Sequence, residues 1–286
     1  MKSILLLALA FTATSAFAIP VAPHNALAPE RLAKTKALSA FTLAYDFEGI
    51  IKLSNCSGSL VQFSGQPDDA KAIVMTNGHC IQKPGGYLNA GEVWTNRPIA
   101  RSMKVFDTAM KLSGVQATRI LYATMTNTDI AFYELTESYA EITDRTQVRP
   151  FRLDATRPVS GIAIDIISGY WDRGYSCNID AFVPQIREGQ WSWFDSIRYT
   201  AGCDTIGGTS GSPLIARGER VVVGINNTSN EKGEVCTLNN PCEVREDGTT
   251  VATQGLRYGQ QTFNVYTCLT PDFQFDLTIP GCDLPK

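Results

Sequence analysis

From Gly49 onward the chain alternates between short runs of β-branched, aliphatic and aromatic residues and clusters of Gly, Asn, Asp and Pro. Ile50–Leu53, Leu60–Phe63, Ala72–Met75, Ile130–Leu135 and Val221–Ile225 are each about one strand long and are bounded by turn-forming residues, which is the pattern of β-strands. Amphipathic helical spacing is weak, and only Phe273–Leu277 reads as a short helix. The texture therefore predicts an all-β protein of many short strands. It is interrupted at Arg149-Pro150 and Arg157-Pro158, which divides the chain into two β-modules, 46–150 and 151–286.

The N-terminal residues are patterned differently. Lys2 precedes an apolar run, Ile4–Phe11, and Ala16-Phe17-Ala18 supplies small residues where a signal peptidase cuts. The run is broken by Thr12, Thr14 and Ser15, whereas a membrane span needs about 20 apolar residues. Residues 1–18 are thus expected to be a secretory signal, and the mature form is expected to be secreted or periplasmic, without a membrane anchor. Residues 19–45 carry Pro20, Pro23, Pro29 and a basic, alanine-rich stretch, Arg31–Ala37. They read as a pro-segment or N-terminal arm, with a mature N-terminal strand as the alternative.

Composition narrows the function. With 286 residues, 19% charged, 44% hydrophobic and a net charge of −3, the chain is neither a disordered polar polymer nor a basic nucleic-acid binder. The eight cysteines all follow residue 18, an even number in a chain that reads as exported, so disulfides are expected. No Cys-x-x-Cys hook occurs, and the two histidines, His24 and His79, are too few for a three-histidine zinc site. No metal and no cofactor is expected.

Three separated runs carry chemistry. Val74–Cys80 is an apolar strand ending in a small-residue turn that presents His79; Asn127–Leu135 places Asp129 just before a buried-looking strand; Asp204–Pro213 is a glycine-rich turn around Ser210. A serine hydroxyl holds its proton too tightly to attack a carbonyl unaided, and His79 can take that proton and later return it to a leaving group. Asp129 would hold the other ring nitrogen and stabilise the imidazolium. Without a Cβ at the flanking glycines the chain can aim the amides of Gly208 and Ser210 at one developing oxyanion. The order matters too. An α/β-hydrolase needs its histidine after its serine, and none follows Ser210. An Asp46, His79, Ser210 order would suit a subtilisin-type enzyme, whose helix-rich parallel sheet this texture does not support. His79, Asp129, Ser210 is the remaining order.

The runs T-N-G-H-C, T-D-I-A and G-T-S-G-S-P resemble the corresponding motifs of the chymotrypsin/trypsin family. Cys56–Leu60 resembles the strand whose cysteine bridges to the one after the histidine, and Val265-Tyr266-Thr267 resembles the segment before the closing helix. The resemblance spans roughly residues 48–278. It implies two six-stranded antiparallel β-barrels with a short C-terminal helix, a Cys56–Cys80 disulfide, and a monomeric endopeptidase acting on protein or peptide substrates through an acyl-enzyme. The alternative is a catalytically silent homologue that binds a partner.

Departures from the family pattern are specific. Thr209 stands where the family has the aspartate that pairs with a new N-terminus on zymogen cleavage, so that ion pair is missing; the turn instead resembles the bacterial branch that includes glutamyl endopeptidases. Asp204, six residues before Ser210, has the spacing at which trypsin-like enzymes place the acid that binds a basic substrate side chain, with Thr205 beside it; a structural role for Asp204 is the alternative. Asn226 falls where glutamyl endopeptidases carry a substrate-binding histidine, and Asn227, Thr228 and Ser229 are expected to form the edge that pairs with extended substrate. The sequons at Asn55 and Asn227 fall in these working parts and are expected to carry no sugar. Tyr170, Trp171, Trp191 and Trp193 could line a binding cleft, but aromatic strand residues more often belong to the core, and that is the expectation.

Overall fold

The computed structural model describes residues 45–286; the expected signal, 1–18, and the arm up to residue 44 lie outside the described residues. Strands β1 (Ile50–Lys52), β2 (Ser57–Phe63), β3 (Lys71–Thr76), β4 (Val93–Phe106), β5 (Leu112–Thr124) and β6 (Ile130–Ser138) pair in the order β1-β4-β5-β6-β3-β2. The β1–β2 pairing closes this path into an antiparallel ring. Next come β7 (Phe151–Leu153), β8 (Ala163–Ser168), β9 (Arg173–Glu188), β10 (Trp191–Tyr199), β11 (Pro213–Ala216), β12 (Val221–Ser229), β13 (Cys242–Val244), β14 (Thr250–Val251) and β15 (Arg257–Gln261). The order β12-β11-β8-β9-β10-β15 closes through β12–β15 into a second antiparallel ring. Closure leaves neither barrel with a long free edge. The link between them is β7, which runs parallel to β2 on one side and to β12 on the other.

Burial follows the pleat. Leu60, Val74, Val105, Ile120 and Tyr133 belong to one core cluster, and Ile164, Ile166, Tyr175, Leu214 and Val223 to another. A third, rich in aromatics, joins Phe63, Phe106, Tyr122 and Phe132 on the first ring to Ile167, Ile215 and Ile225 on the second. Its outer face is covered by the C-terminal segment, closed by the Cys268–Cys282 disulfide and tied down where Tyr122 Oη donates to the Pro285 carbonyl at 3.1 Å.

One helix expectation is corrected in position. Phe273–Leu277 is not helical. Phe273, Phe275 and Leu277 recur with period two, all three packing against the aromatic cluster, and Phe273 adopts a left-handed φ of 60°. The C-terminal helix is instead a 3-10 segment, Phe263–Cys268, that contains Val265-Tyr266-Thr267. The α-helix is α1 (Tyr139–Thr146), opened by a capping box in which Ser138 Oγ accepts from the Glu141 amide and the Glu141 carboxylate accepts from the Ser138 amide. The signal for it, Ser138-x-x-Glu141, stands in the sequence, but with only Tyr139 and Ile142 buried the helix has too narrow an apolar stripe to register as amphipathic.

Candidate active site

After β3 the chain turns at Asn77 into a single 3-10 turn, Gly78–Cys80, which carries His79. A side chain at Gly78 would run into the Thr124 carbonyl, so the turn can lie flat against β5 only with glycine there. The Cys56–Cys80 disulfide fixes the far side of the turn, making the pair the resemblance implies. Asp129 lies just before β6 and is fully buried. Its Oδ2 sits 2.7 Å from His79 Nδ1, its Oδ1 accepts the His79 amide at 3.0 Å, and its carbonyl accepts Asn77 Nδ2 at 2.7 Å. A carboxylate only accepts, so Nδ1 carries the proton and Nε2 is left as the basic nitrogen. Burial alone would lower the imidazole's pKa; the charge and hydrogen bond of Asp129 outweigh it and hold His79 above its ordinary value.

Ser210 sits in the turn between β10 and β11. The turn is shaped by Gly208 at φ 90° and Gly211 at φ 80°; a Cβ at Gly208 would meet the Tyr170 ring, and one at Gly211 would meet Ser57 and Thr76. Thr209 is buried and donates from both its amide and its hydroxyl to the Ile206 carbonyl. Ser57 donates its amide to the Ser210 carbonyl at 2.8 Å, and Trp171 Nε1 donates to the Gly207 carbonyl at 2.7 Å. Among the described residues the amides of Gly208 and Ser210 donate to nothing. Ser210 Oγ donates to the Asn227 carbonyl at 3.3 Å rather than to His79. That carbonyl is turned toward the serine where the β12–β15 register shifts, between Asn226 and Thr228.

His79, Asp129, Gly208 and Ser210 line one cleft of about 310 Å³, together with Thr205 and the strand Asn226–Ser229. Asp204 is not in it. Cys203, bonded to Cys177, and Thr205 both turn inward, so alternation leaves Asp204 exposed on the outer side of the loop. Asn226 is buried and its amide is spent inside the protein: Nδ2 donates to the carbonyl and hydroxyl of Thr209, and Oδ1 accepts from Tyr199. This neutral brace acts on Thr209, the position at which the motif it resembles carries an aspartate. Asn227 is buried with both amide atoms unpartnered, while Asn55 uses its amide on Cys80 and Arg101. Cys56, His79 and Cys80 cluster closely, but the disulfide leaves no thiolate to ligate a metal.

Several lining residues escape a reading of the sequence alone. Glu188, at the end of β9, is buried beside Thr228, and Tyr87 packs edge-on between His79 and Trp191. Trp191 and Trp193 are buried and also form cleft wall, whereas Trp171 is exposed and supports the Gly207–Gly208 turn. The strand parity could have found Glu188, which lies two positions after the buried Ile186.

A family model described as a trypsin-like peptidase domain matches residues 56–225. No curated protein matches the chain. Among solved structures, the MamO protease domain from Magnetospirillum magneticum covers 80% of this chain and 99% of its own, with a TM-score of 0.50 and 12% identity. A Nocardiopsis protease covers 76% of this chain and 92% of its own, with a TM-score of 0.43 and 13% identity. A Glu endopeptidase covers 78% and 88%, with a TM-score of 0.43 and 16% identity. At such identities the likeness is one of fold.

Proposed function

The chain belongs to the family of trypsin-like peptidase domains, and from that premise we propose that it is an exported serine endopeptidase with Ser210 as nucleophile, His79 as general base and acid, and Asp129 as the orienting anion. The observation that carries this reading is the buried Asp129 carboxylate 2.7 Å from His79 Nδ1, in the same cleft as Ser210. Four disulfides support an oxidising, extracytoplasmic location.

In this mechanism Ser210 turns about its Cα–Cβ bond, leaves the Asn227 carbonyl and presents its proton to His79 Nε2; such catalytic contacts commonly tighten only when substrate is bound. Oγ attacks the scissile carbonyl, and the oxyanion is received by the free amides of Gly208 and Ser210. His79 then protonates the leaving amine, giving an acyl-enzyme, and activates the water that hydrolyses it. The substrate backbone pairs with Asn227–Ser229, which among the described residues has only β15 as a neighbour in the sheet. Hydrolysis of a denatured protein or mixed peptide pool, compared with Ser210→Ala and His79→Ala, tests the assignment. Cleavage by the parent and its loss in both variants is expected; undiminished cleavage by either variant contradicts it.

A further inference from the structure

Among the described residues the cleft is lined by the carboxylates Asp129, Glu188 and Glu231 and by no lysine or arginine. Asp129 is committed to His79, and Glu231 is exposed at the rim. Glu188 is different. It is 4% exposed and forms no ion pair among the described residues. Its Oε2 accepts the Thr228 hydroxyl at 2.6 Å and its Oε1 the Asn239 amide at 2.8 Å, both neutral donors. Burial raises the Glu188 pKa above its ordinary value, and the two neutral hydrogen bonds and the more distant charge of His79 offset that cost only in part. Each carboxylate oxygen also keeps a lone pair for a further donor.

The surroundings suit one kind of ligand. Thr228, which holds Glu188, belongs to the strand proposed to pair with the substrate backbone, and the aromatic rings of Tyr87 and Trp191 continue the wall between Glu188 and His79. An ammonium or guanidinium on an aliphatic stem matches such a site, with the stem against the rings and the head on the carboxylate. Asp204 offers no competing site, since it lies outside the cleft.

We infer that Glu188 is a specificity-determining residue that selects a lysine or arginine side chain on the substrate segment lying along Asn227–Ser229. The inference rests on the peptidase reading for its biological sense, but cation recognition can be measured without turnover. In Ser210→Ala the chemistry is removed and the cleft kept, so equilibrium binding reports recognition directly. Fluorescent peptides identical except for lysine or norleucine, scanned through the residues before a mapped or candidate scissile bond, are titrated against it. At one position the lysine peptide binds at least tenfold tighter, and adding Glu188→Gln erases that ratio while Glu188→Asp retains part of it. Equal binding of the two peptides at every position, or a preference that survives Glu188→Gln, overturns the assignment, as does a loss of affinity for both peptides that leaves their ratio unchanged, because Glu188 would then be structural. Failure of the parent to cleave any peptide, with the lysine preference intact, overturns the catalytic reading instead.

Discussion

His79 is held twice by Asp129: one carboxylate oxygen lies 2.7 Å from ring nitrogen Nδ1 and the other accepts the histidine's own amide at 3.0 Å. The same buried side chain thus fixes the backbone that carries the imidazole and the tautomer that the imidazole adopts. Asp129→Asn keeps the shape but places an amide where only an acceptor serves. A fall in kcat of about 10³–10⁴-fold, with KM changed little, is expected in steady-state kinetics. A variant within a few fold of the parent would show that the tautomer is set elsewhere.

The direction of the His79 shift fixes the acid limb of the activity profile. Burial lowers its pKa, but the charge and hydrogen bond of Asp129 and the more distant charge of Glu188 raise it, with a net upward result. In the proposed mechanism only neutral His79 accepts the serine proton, so kcat/KM should fall below a midpoint that lies above 6.5, the ordinary imidazole value. Stability runs the other way. Its contribution is full below the imidazole's unfolded value and is lost as pH rises through the folded one. A pH–rate profile of kcat/KM with its midpoint at or below the ordinary value contradicts the arrangement.

The turn proposed to carry the oxyanion donors depends on Gly208 at φ 90° and on Trp171, whose Nε1 donates to the Gly207 carbonyl. Gly208→Ala sets a methyl against the Tyr170 ring at a φ that L-residues avoid. A loss in kcat of about 10²-fold is expected, comparable to removing one oxyanion donor. Trp171→Phe removes a single hydrogen bond of about 1 kcal/mol, so a milder loss of about fivefold is expected. The reverse ranking in the same assay would mean that the turn is not shaped this way.

Glu48, just before β1, links the two barrels at a distance from the cleft. Its buried carboxylate binds Arg149, before β7, at 2.8 Å, and Arg220, before β12, at 3.0 Å. Burial raises its pKa, but the hydrogen bonds from Arg149 and the charges of both arginines prevail and hold it below 4.5. Its stabilising contribution is therefore present above that value and fades as pH falls through the lowered one. Glu48→Gln should cost about 2 kcal/mol in urea unfolding at neutral pH, less than a fully buried pair because Arg149 is largely exposed. The cost should shrink in acid. An equal loss at both pH values would mean that packing, not charge, is the cause.

The candidate site is legible where the signal is local. His79, Asp129 and Ser210 each stand in a short run of small and apolar residues, and the fold brings all three to one cleft. Residues whose role depends on a distant partner were not legible. Asp204 has the expected spacing from Ser210, yet the Cys177–Cys203 bond and the pleat turn it outward. Glu188 shares strand parity with the buried Ile186, but its partners Thr228 and Asn239 come from distant segments, so parity shows that it is buried and not what holds it. The fold shows the same division. The strand runs follow period-two burial and are visible in the sequence, whereas Phe273–Leu277 reads as a helix because most of the aromatic cluster it covers, Phe63, Phe106, Tyr122 and Phe132 among it, comes from distant parts of the chain.

Covalent labelling of the folded protein with a fluorophosphonate, read by intact mass and peptide mapping, tests the central claim most directly. One adduct per chain, located on Ser210 and absent from His79→Ala, is the expected result. A folded protein that takes up no reagent, or that carries the adduct elsewhere with Ser210 unmodified, would contradict the assignment of Ser210 and His79 as nucleophile and base and would favour a silent homologue that binds a partner.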